Sequence, residues 1–356
     1  MEDSPRKRRP RYPGRNPRRF EEKYKERDPE RFPETVAKVV AAGKTPAGTH
    51  RPILVVEVLE ALRPGPGLVA VDATLGFGGH AVELLPRLLP GGRLLALDAD
   101  PVELPKTEVR LRALGFGEEV LTVRRSSFAG LPKALAAEGI PHADLVLADL
   151  GVSSMQLDDP SRGFSFREDG PLDMRMNPSR GLTAADLLAR LDGERLAALL
   201  RGNSDEPHAA EIAASLVAAR TRAPVATTFA LAAAVRDALA ALPERVREEE
   251  GDAPLKRTFQ ALRIEVNDEL GALRAFLAAL PYCLAPGGRA AILTFHSGED
   301  RLVKKAFQAG ERAGLLASWS REPVRPGPEE LRANPRSRPA KLRWAVRSGT
   351  AGRAAS

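Results

Sequence analysis

Three carboxylates stand at the ends of apolar runs, where they could do chemistry: Asp72 in "LVAVDATLGFGGH", Asp98 in "RLLALDAD" and Asp149 in "HADLVLADLG". The first is followed by the glycine cluster Gly76-Phe77-Gly78-Gly79, a backbone that can approach a ligand without a Cβ in the way. Asp98 lies twenty positions after Gly78, the spacing of an acid that accepts both hydroxyls of a ribose. That arrangement suits a dinucleotide and also other adenosine cofactors. A glycine bend after a strand is equally the product of tight strand–helix packing, so the turn alone leaves these readings open.

Two details separate them. A nicotinamide-binding turn reads G-x-G-x-x-G, and here Ala81 stands at the third glycine position. Asp72 sits inside the first run, four residues before Gly76, which gives D-x-T-x-G-x-G. That pattern is similar to the first motif of S-adenosylmethionine-dependent methyltransferases, whose cofactor carries an amino-acid moiety and no pyrophosphate. Asp149 adds weight, because ligands of open α/β sheets bind at the carboxyl ends of parallel strands. Methyltransferases acting on exocyclic amines of bases place an Asp or Asn there, in a D-P-P-Y type motif. Asp149-Leu150-Gly151-Val152 keeps the acid without the remainder, and a helix N-cap is the competing reading.

The elements that must position these groups alternate. Strands are expected over 68–74, 93–100, in "EVLTVRRSSF" and over 142–151, with a helix from Gly79 to about Leu89, so a parallel sheet covered on both faces follows. Ahead of them "PERFPETVAKVVAAGK" reads as a short helix, and "THRPILVVEVLEAL" as a lead-in and a helix. From about 155 to 255 the pattern changes to a loop rich in Asp, Arg, Gly and Pro. Helical segments follow it: "TAADLLARLDGERLAALL", "HAAEIAASLVAAR" and "TTFALAAAVRDALAAL". Sheet logic resumes at 286–297, and "KLRWAVR" alternates like an edge strand. The fold class is therefore α/β, a class I Rossmann-like domain over 47–154 and 256–348 with a helical, substrate-recognising insertion over 155–255. A basic extension over 1–46 and a flexible end over 349–356 flank it.

Composition narrows the function further. With 43% hydrophobic residues the 356-residue chain can bury one good-sized core or two modest ones. No apolar run is long enough to cross a membrane, and Met1-Glu2-Asp3 does not open a signal peptide. The single cysteine, Cys283, excludes an intramolecular disulfide and a cysteine zinc site and reads as a small buried hydrophobe, so a reduced cytoplasmic protein is expected. His50, His80 and His296 come from separate segments and lack metal-ligand spacing, so no metal is expected. The net charge of +7 is concentrated: residues 1–19 hold eight basic side chains against Glu2 and Asp3, leaving 46 basic and 45 acidic groups elsewhere. The tail reads either as an arm for RNA or the ribosome or as a solvated segment of an arginine-rich proteome. A nucleic-acid site on the near-neutral body must be a local patch.

Six blocks together make the chain recognisable: "HRPILVVEVLEAL", "DATLGFGGH", "DLGVSSMQLDDPSRGFSFREDGPLDMRMNPSRG", "RTFQALRIEVNDEL", "LAPGGRAAILTFHSGEDRLVK" and "NPRSRPAKLR". They resemble, in order and over about residues 48–347, the RsmH (MraW) family of bacterial 16S ribosomal RNA cytosine-N4 methyltransferases, which act in the decoding centre. The resemblance implies S-adenosyl-L-methionine as cofactor and 16S ribosomal RNA in the small ribosomal subunit as partner. Gly78, Gly79 and His80 would line the methionine and ribose. Asp98 would hold the ribose, Phe128 flank the adenine, and Asp149 and Gln156 close the pocket. In the chemistry Asp149 orients the base.

On the substrate side, Phe164 and Phe166 in "RGFSF" are candidates for stacking on an unstacked cytosine, against a reading as anchors of their loop. Arg162, Arg167, Arg175 and Arg180 are candidates for phosphate contacts, against solvated or ion-paired arginines. The usual H-S-L-E-D-R of the family reads His296-Ser297-Gly298-Glu299-Asp300-Arg301 here. Ser297 with Asp300 is expected as a capping pair, and His296 faces the expected pocket. "NPRSRPAKLR" is either a turn entering the last strand or an RNA contact. Two rivals stand beside the enzyme: an assembly factor that kept the fold without catalysis, and the same chemistry on DNA or another RNA.

Overall fold

The computed structural model describes residues 52–349. The basic tail and the helix expected in "PERFPETVAKVVAAGK" lie outside the described residues. In chain order the elements begin with α1 (Val55–Leu62), β1 (Val69–Asp72), α2 (Gly79–Leu88), β2 (Arg93–Asp98), α3 (Leu104–Ala113), β3 (Leu121–Arg125), α4 (Leu131–Ala137) and β4 (Ala143–Asp149). Next come α5 (Ser154–Asp158), α6 (Ala184–Arg190), α7 (Gly193–Ser204), α8 (Ala209–Arg222), α9 (Thr228–Ala240), α10 (Glu244–Glu250), α11 (Ala253–Asn267) and α12 (Glu269–Cys283). The chain closes with β5 (Leu284–Thr294), α13 (Ser297–Arg312), β6 (Leu316–Trp319), α14 (Pro328–Ala333) and β7 (Lys341–Arg347).

The seven strands form one sheet in the order β3-β2-β1-β4-β5-β7-β6. The first five run parallel, and β7 lies antiparallel to both β5 and β6. Successive side chains on a strand point to opposite faces. Val71, Leu95, Val146 and Ile292 accordingly meet α4, α12 and α13, including Phe276 and Phe307. Ala70, Leu94, Leu147 and Leu293 meet α1, α2 and α3 instead. Strands buried on both faces read as continuous apolar runs, which is why β1, β2 and β4 were legible as such. Cys283 is buried in the first of these layers.

Between β4 and β5 the helices bury a third apolar cluster, from Phe164 to Leu262. Asp192 caps α7 and Thr183 and Asp186 form a capping box on α6, which breaks the expected single helical segment into two. The cluster reaches past residue 255, because Phe259, Ala261 and Leu262 of α11 belong to it.

Strand β7 is not at the edge. The expectation for "KLRWAVR" is corrected by β6, a four-residue strand in which only Leu316 and Trp319 are buried, too short to announce itself. With β6 outside it, β7 buries Arg343, whose Nε donates to Asp300 Oδ1 at 2.6 Å while Nη1 donates to the carbonyls of Ser320 and Arg321. No helix among the described residues is long and apolar enough to cross a membrane.

Candidate active site

Parallel strands β1, β2 and β4 end side by side, so Asp72, Asp98 and Asp149 gather at one sheet edge. Asp98 spends one lone pair on each side of its carboxylate: Oδ2 accepts from Gly76 N at 2.7 Å and Oδ1 from Asp100 N at 2.8 Å. That ties the glycine turn to the end of β2. Asp72 is 2% exposed and accepts from Thr74 N. Asp149 receives nothing at Oδ1, a buried oxygen with no hydrogen-bond partner, while its Oδ2 lies 3.7 Å from His80 Nδ1. The next helix starts only at Ser154, and Asp149 does not cap it. Burial pushes Asp149 up to about 7, with the negative charge of Glu299 adding to it. Burial likewise pushes Asp72 up to about 6, against the pull of His80.

His80 enters from the first turn of α2. Its Nε2–H donates to the Ile53 carbonyl at 3.0 Å, since a carbonyl can only accept. The tautomer so fixed leaves Nδ1 bare toward Asp149, and burial pushes the imidazole below its ordinary value, toward the neutral form. The glycines serve the tight packing that was one reading of the turn. Gly78 has φ +73°, and a Cβ there would meet Thr107 at 3.1 Å and Leu111 at 3.3 Å; at Gly79 it would meet Pro52 at 3.0 Å. Their missing side chains therefore allow close helix packing, and what the turn offers a ligand is backbone N–H at the start of α2.

Gln156 sits beside β2, its Nε2 donating to Asp100 Oδ2 at 2.7 Å. Phe128, at the head of a 3-10 turn, packs edge-on against Phe276 at 5.6 Å. At the end of β5 the capping expectation is shifted by one residue. His296 is the N-cap of α13, its Nδ1 accepting from Glu299 N, and Gly298 leaves the room in which the ring lies. His296 Nε2 lies 3.2 Å from Glu299 Oε1. Burial would raise Glu299, yet His296, the Phe295 N–H and Arg263 together hold it below the ordinary range. Ser297 instead reaches Asp205 Oδ2 at the end of α7, and Asp300 belongs to Arg343.

The substrate-side candidates scatter. Phe164 is 5% exposed inside the helical cluster and Phe166 stacks edge-on to Phe259 at 5.4 Å, so both rings anchor the loop and the stacking expectation is corrected for Phe164. Arg162 pairs with Asp100 at 2.9 Å and Arg175 with Asp173 at 2.7 Å, so of the two readings of these arginines the ion-paired one holds. Arg167 and Arg180 stay exposed on the same stretch. Arg336 of "NPRSRPAKLR" pairs with Asp158 at 2.7 Å, which favours the turn reading for that residue. The residue that sequence reasoning missed is Asp100, 2% exposed; its signal was the repeated acid in Asp98-Ala99-Asp100.

Residues 47–348 match the sequence model of the MraW methylase family. The chain belongs to this family. "Ribosomal RNA small subunit methyltransferase H 2" of Alkaliphilus metalliredigens is 48% identical over 344 residues, 96% of this chain and 98% of that one. "Ribosomal RNA small subunit methyltransferase H 1" of Lachnoclostridium phytofermentans is 48% identical over 343 residues, covering 96% and 93%. A protein of the same name without a number, from Anaeromyxobacter sp. strain K, is 46% identical over 312 residues, covering 83% and 96%.

The MraW methylase is an S-adenosylmethionine-dependent enzyme, and the residues at its sheet edge fit that cofactor. Three clustered carboxylates, one with an unpartnered buried oxygen, suit a ligand carrying a sulfonium and an ammonium. A cation favours the ionised form of Asp72 and Asp149, so binding releases protons and tightens as pH rises through about 6 to 7. Affinity for S-adenosylmethionine is expected to rise roughly tenfold or more between pH 5.5 and 8, and less for S-adenosylhomocysteine, which lacks the sulfonium charge. Calorimetry in buffers of different ionisation enthalpy measures both; a flat profile rejects this role for the two acids.

Proposed function

We propose that this methylase transfers a methyl group to N4 of a cytosine in the decoding region of 16S ribosomal RNA. The observation that carries the reading is Asp149: a buried carboxylate at the end of β4 with one oxygen left unpartnered. An exocyclic cytosine amine is a poor nucleophile and gives up a hydrogen when it reacts. Asp149 Oδ1 accepts that N4–H, aligns the nitrogen, and holds the proton as the new N–C bond forms. When bound, S-adenosylmethionine would supply the methyl as an electrophile whose leaving group is a neutral thioether. His80, bound to Ile53 through Nε2, packs beside Asp149 and limits the positions open to it. The helical layer between β4 and β5 serves substrate recognition, with exposed Arg167 and Arg180 on its loop placed for phosphates, and the basic tail adds RNA or ribosome contacts.

The relatives' names, which specify the small subunit, support the RNA target. The test uses purified protein, radiolabelled S-adenosylmethionine and small subunits from a strain lacking the activity, followed by nucleoside analysis. Label in N4-methylcytidine is expected, and none with Asp149→Ala. Cofactor binding without transfer to subunits, naked RNA or DNA rejects the enzyme in favour of an assembly factor. Equal transfer to DNA at matched salt rejects the ribosomal substrate.

A further inference from the structure

A continuous polar chain leaves the cofactor edge and ends in the loop between α5 and α6. Asp98 Oδ1 accepts from Asp100 N at 2.8 Å. The Asp100 carboxylate then divides its work. Oδ1 accepts from Val102 N and Glu103 N, closing the turn after β2, while Oδ2 accepts from Gln156 at 2.7 Å and Arg162 Nη1 at 2.9 Å. Arg162 passes the connection on, its Nη2 donating to the carbonyls of Arg175 at 3.1 Å and Met176 at 2.9 Å. Its own carbonyl accepts from Met174 N, and Asn267 of α11 grips the same strip through Met176 N and the Met174 carbonyl.

The loop needs such a grip. Met174 is fully buried with φ +62°, a left-handed conformation that a non-glycine residue adopts only when its surroundings impose it. An arginine whose side chain is 11% exposed, facing an aspartate whose side chain is 3% exposed, is no surface ornament; a pair so desolvated persists only with its hydrogen bonds made.

We infer that Asp100 is a positioning residue for methyl transfer: through Arg162 it latches the 160–176 loop to the strand end that carries the ribose-binding acid. This rests on the reading of the preceding subsection for what the loop meets, an RNA strand, but the latch itself can be tested without RNA. Asp100→Asn keeps an acceptor for Val102 and Glu103 and turns a donor toward Gln156 and Arg162, so it breaks the latch and spares the turn. Arg162→Met keeps the stem and removes the guanidinium.

In both variants the amides of Met174 and Met176 should exchange with deuterium at least tenfold faster than in the wild type. S-adenosylhomocysteine should slow them in the wild type only. Its dissociation constant, measured by calorimetry, should stay within about threefold for Arg162→Met, which leaves the Gln156–Asp100 bond in place. On small subunits kcat/KM should fall roughly 10- to 100-fold, as for a reacting group held slightly out of place. The double variant should be no worse than either single, since one connection is lost once. Unchanged exchange in both variants overturns the proposal. So does a large loss of cofactor affinity with exchange unaltered, which would make Asp100 part of the cofactor pocket. If Asp100→Asn does not fold, Arg162→Met decides alone. If the wild type methylates no RNA while the exchange results hold, the functional reading falls and the latch stands.

Discussion

Asp149→Asn is expected to give a protein more heat-stable than the wild type and slower in turnover. The wild-type carboxylate is buried with Oδ1 unpartnered, and burial drives it up to about 7. Keeping it ionised therefore costs stability in the free protein. An amide of the same shape carries no charge to desolvate, so Tm should rise by about 2–5 °C at pH 8. The pH dependence fixes the sign. Below about pH 4 the carboxyl is protonated in both folded and unfolded chains, and the variant gains nothing. Between about 4 and 7 the folded chain keeps its proton while the unfolded chain has lost it, so wild-type stability declines as pH rises. The advantage of the variant should grow across that window and level off above 7. Turnover should fall by about ten- to a hundredfold, since the amide oxygen still accepts the N4–H hydrogen bond but cannot take the proton. Calorimetric melts at pH 5 and 8 with a parallel transfer assay measure both. A variant melting below the wild type at pH 8 contradicts the assignment of Asp149 as an acid held at a cost for function.

Arg343→Ala should be the most destabilising single change away from the site, by about 3–5 kcal/mol and a Tm drop of roughly 10 °C. The substitution strands Asp300 with only Lys341 at 3.2 Å and leaves the Ser320 and Arg321 carbonyls without their donor. Burial alone would raise Asp300, but Arg343 and Lys341 hold it below the ordinary carboxylate range. Its contribution is thus present above about pH 4 and lost as pH falls through the depressed value. The double variant Arg343→Met with Asp300→Leu should lose less than the two single changes added together, because neither charge of the buried pair is left without the other. Additive losses in urea melts would show that the pair is not coupled.

The parallel strands β1, β2 and β4 were legible because each is an apolar run buried on both faces and bounded by Gly, Pro or Asp, whereas β3, at the sheet edge, ends on the exposed Arg124 and Arg125. The sheet edge was legible too, because Asp72, Asp98 and Asp149 break those runs at their carboxyl ends. What escaped is what depends on pairing across the chain. β6 has two buried residues in four, so no period-2 signal could form, and without it β7 looked like an edge. Arg162 stayed open between a phosphate contact and an ion pair because its partner, Asp100, lies 62 positions away in sequence. His296 took the capping role expected of Ser297, because the glycine at 298 admits its ring. Side-chain polarity marks a functional region, but whether an arginine faces outward or inward is decided by acids that only the fold brings near.

The helical layer, residues 150–283, lies in the chain between two strands that are neighbours at the centre of the sheet. During synthesis β3, β2, β1 and β4 are available to pair long before β5 exists. At a growth rate of roughly 5–20 residues per second the interval is on the order of ten seconds. Throughout it Leu145, Val146 and Leu147 form an unpaired apolar border, the kind of border to which other nascent chains adhere. The helices, rich in local contacts, can fold within that interval. What is the middle of the finished sheet is, while the protein is being made, its most adhesive rim.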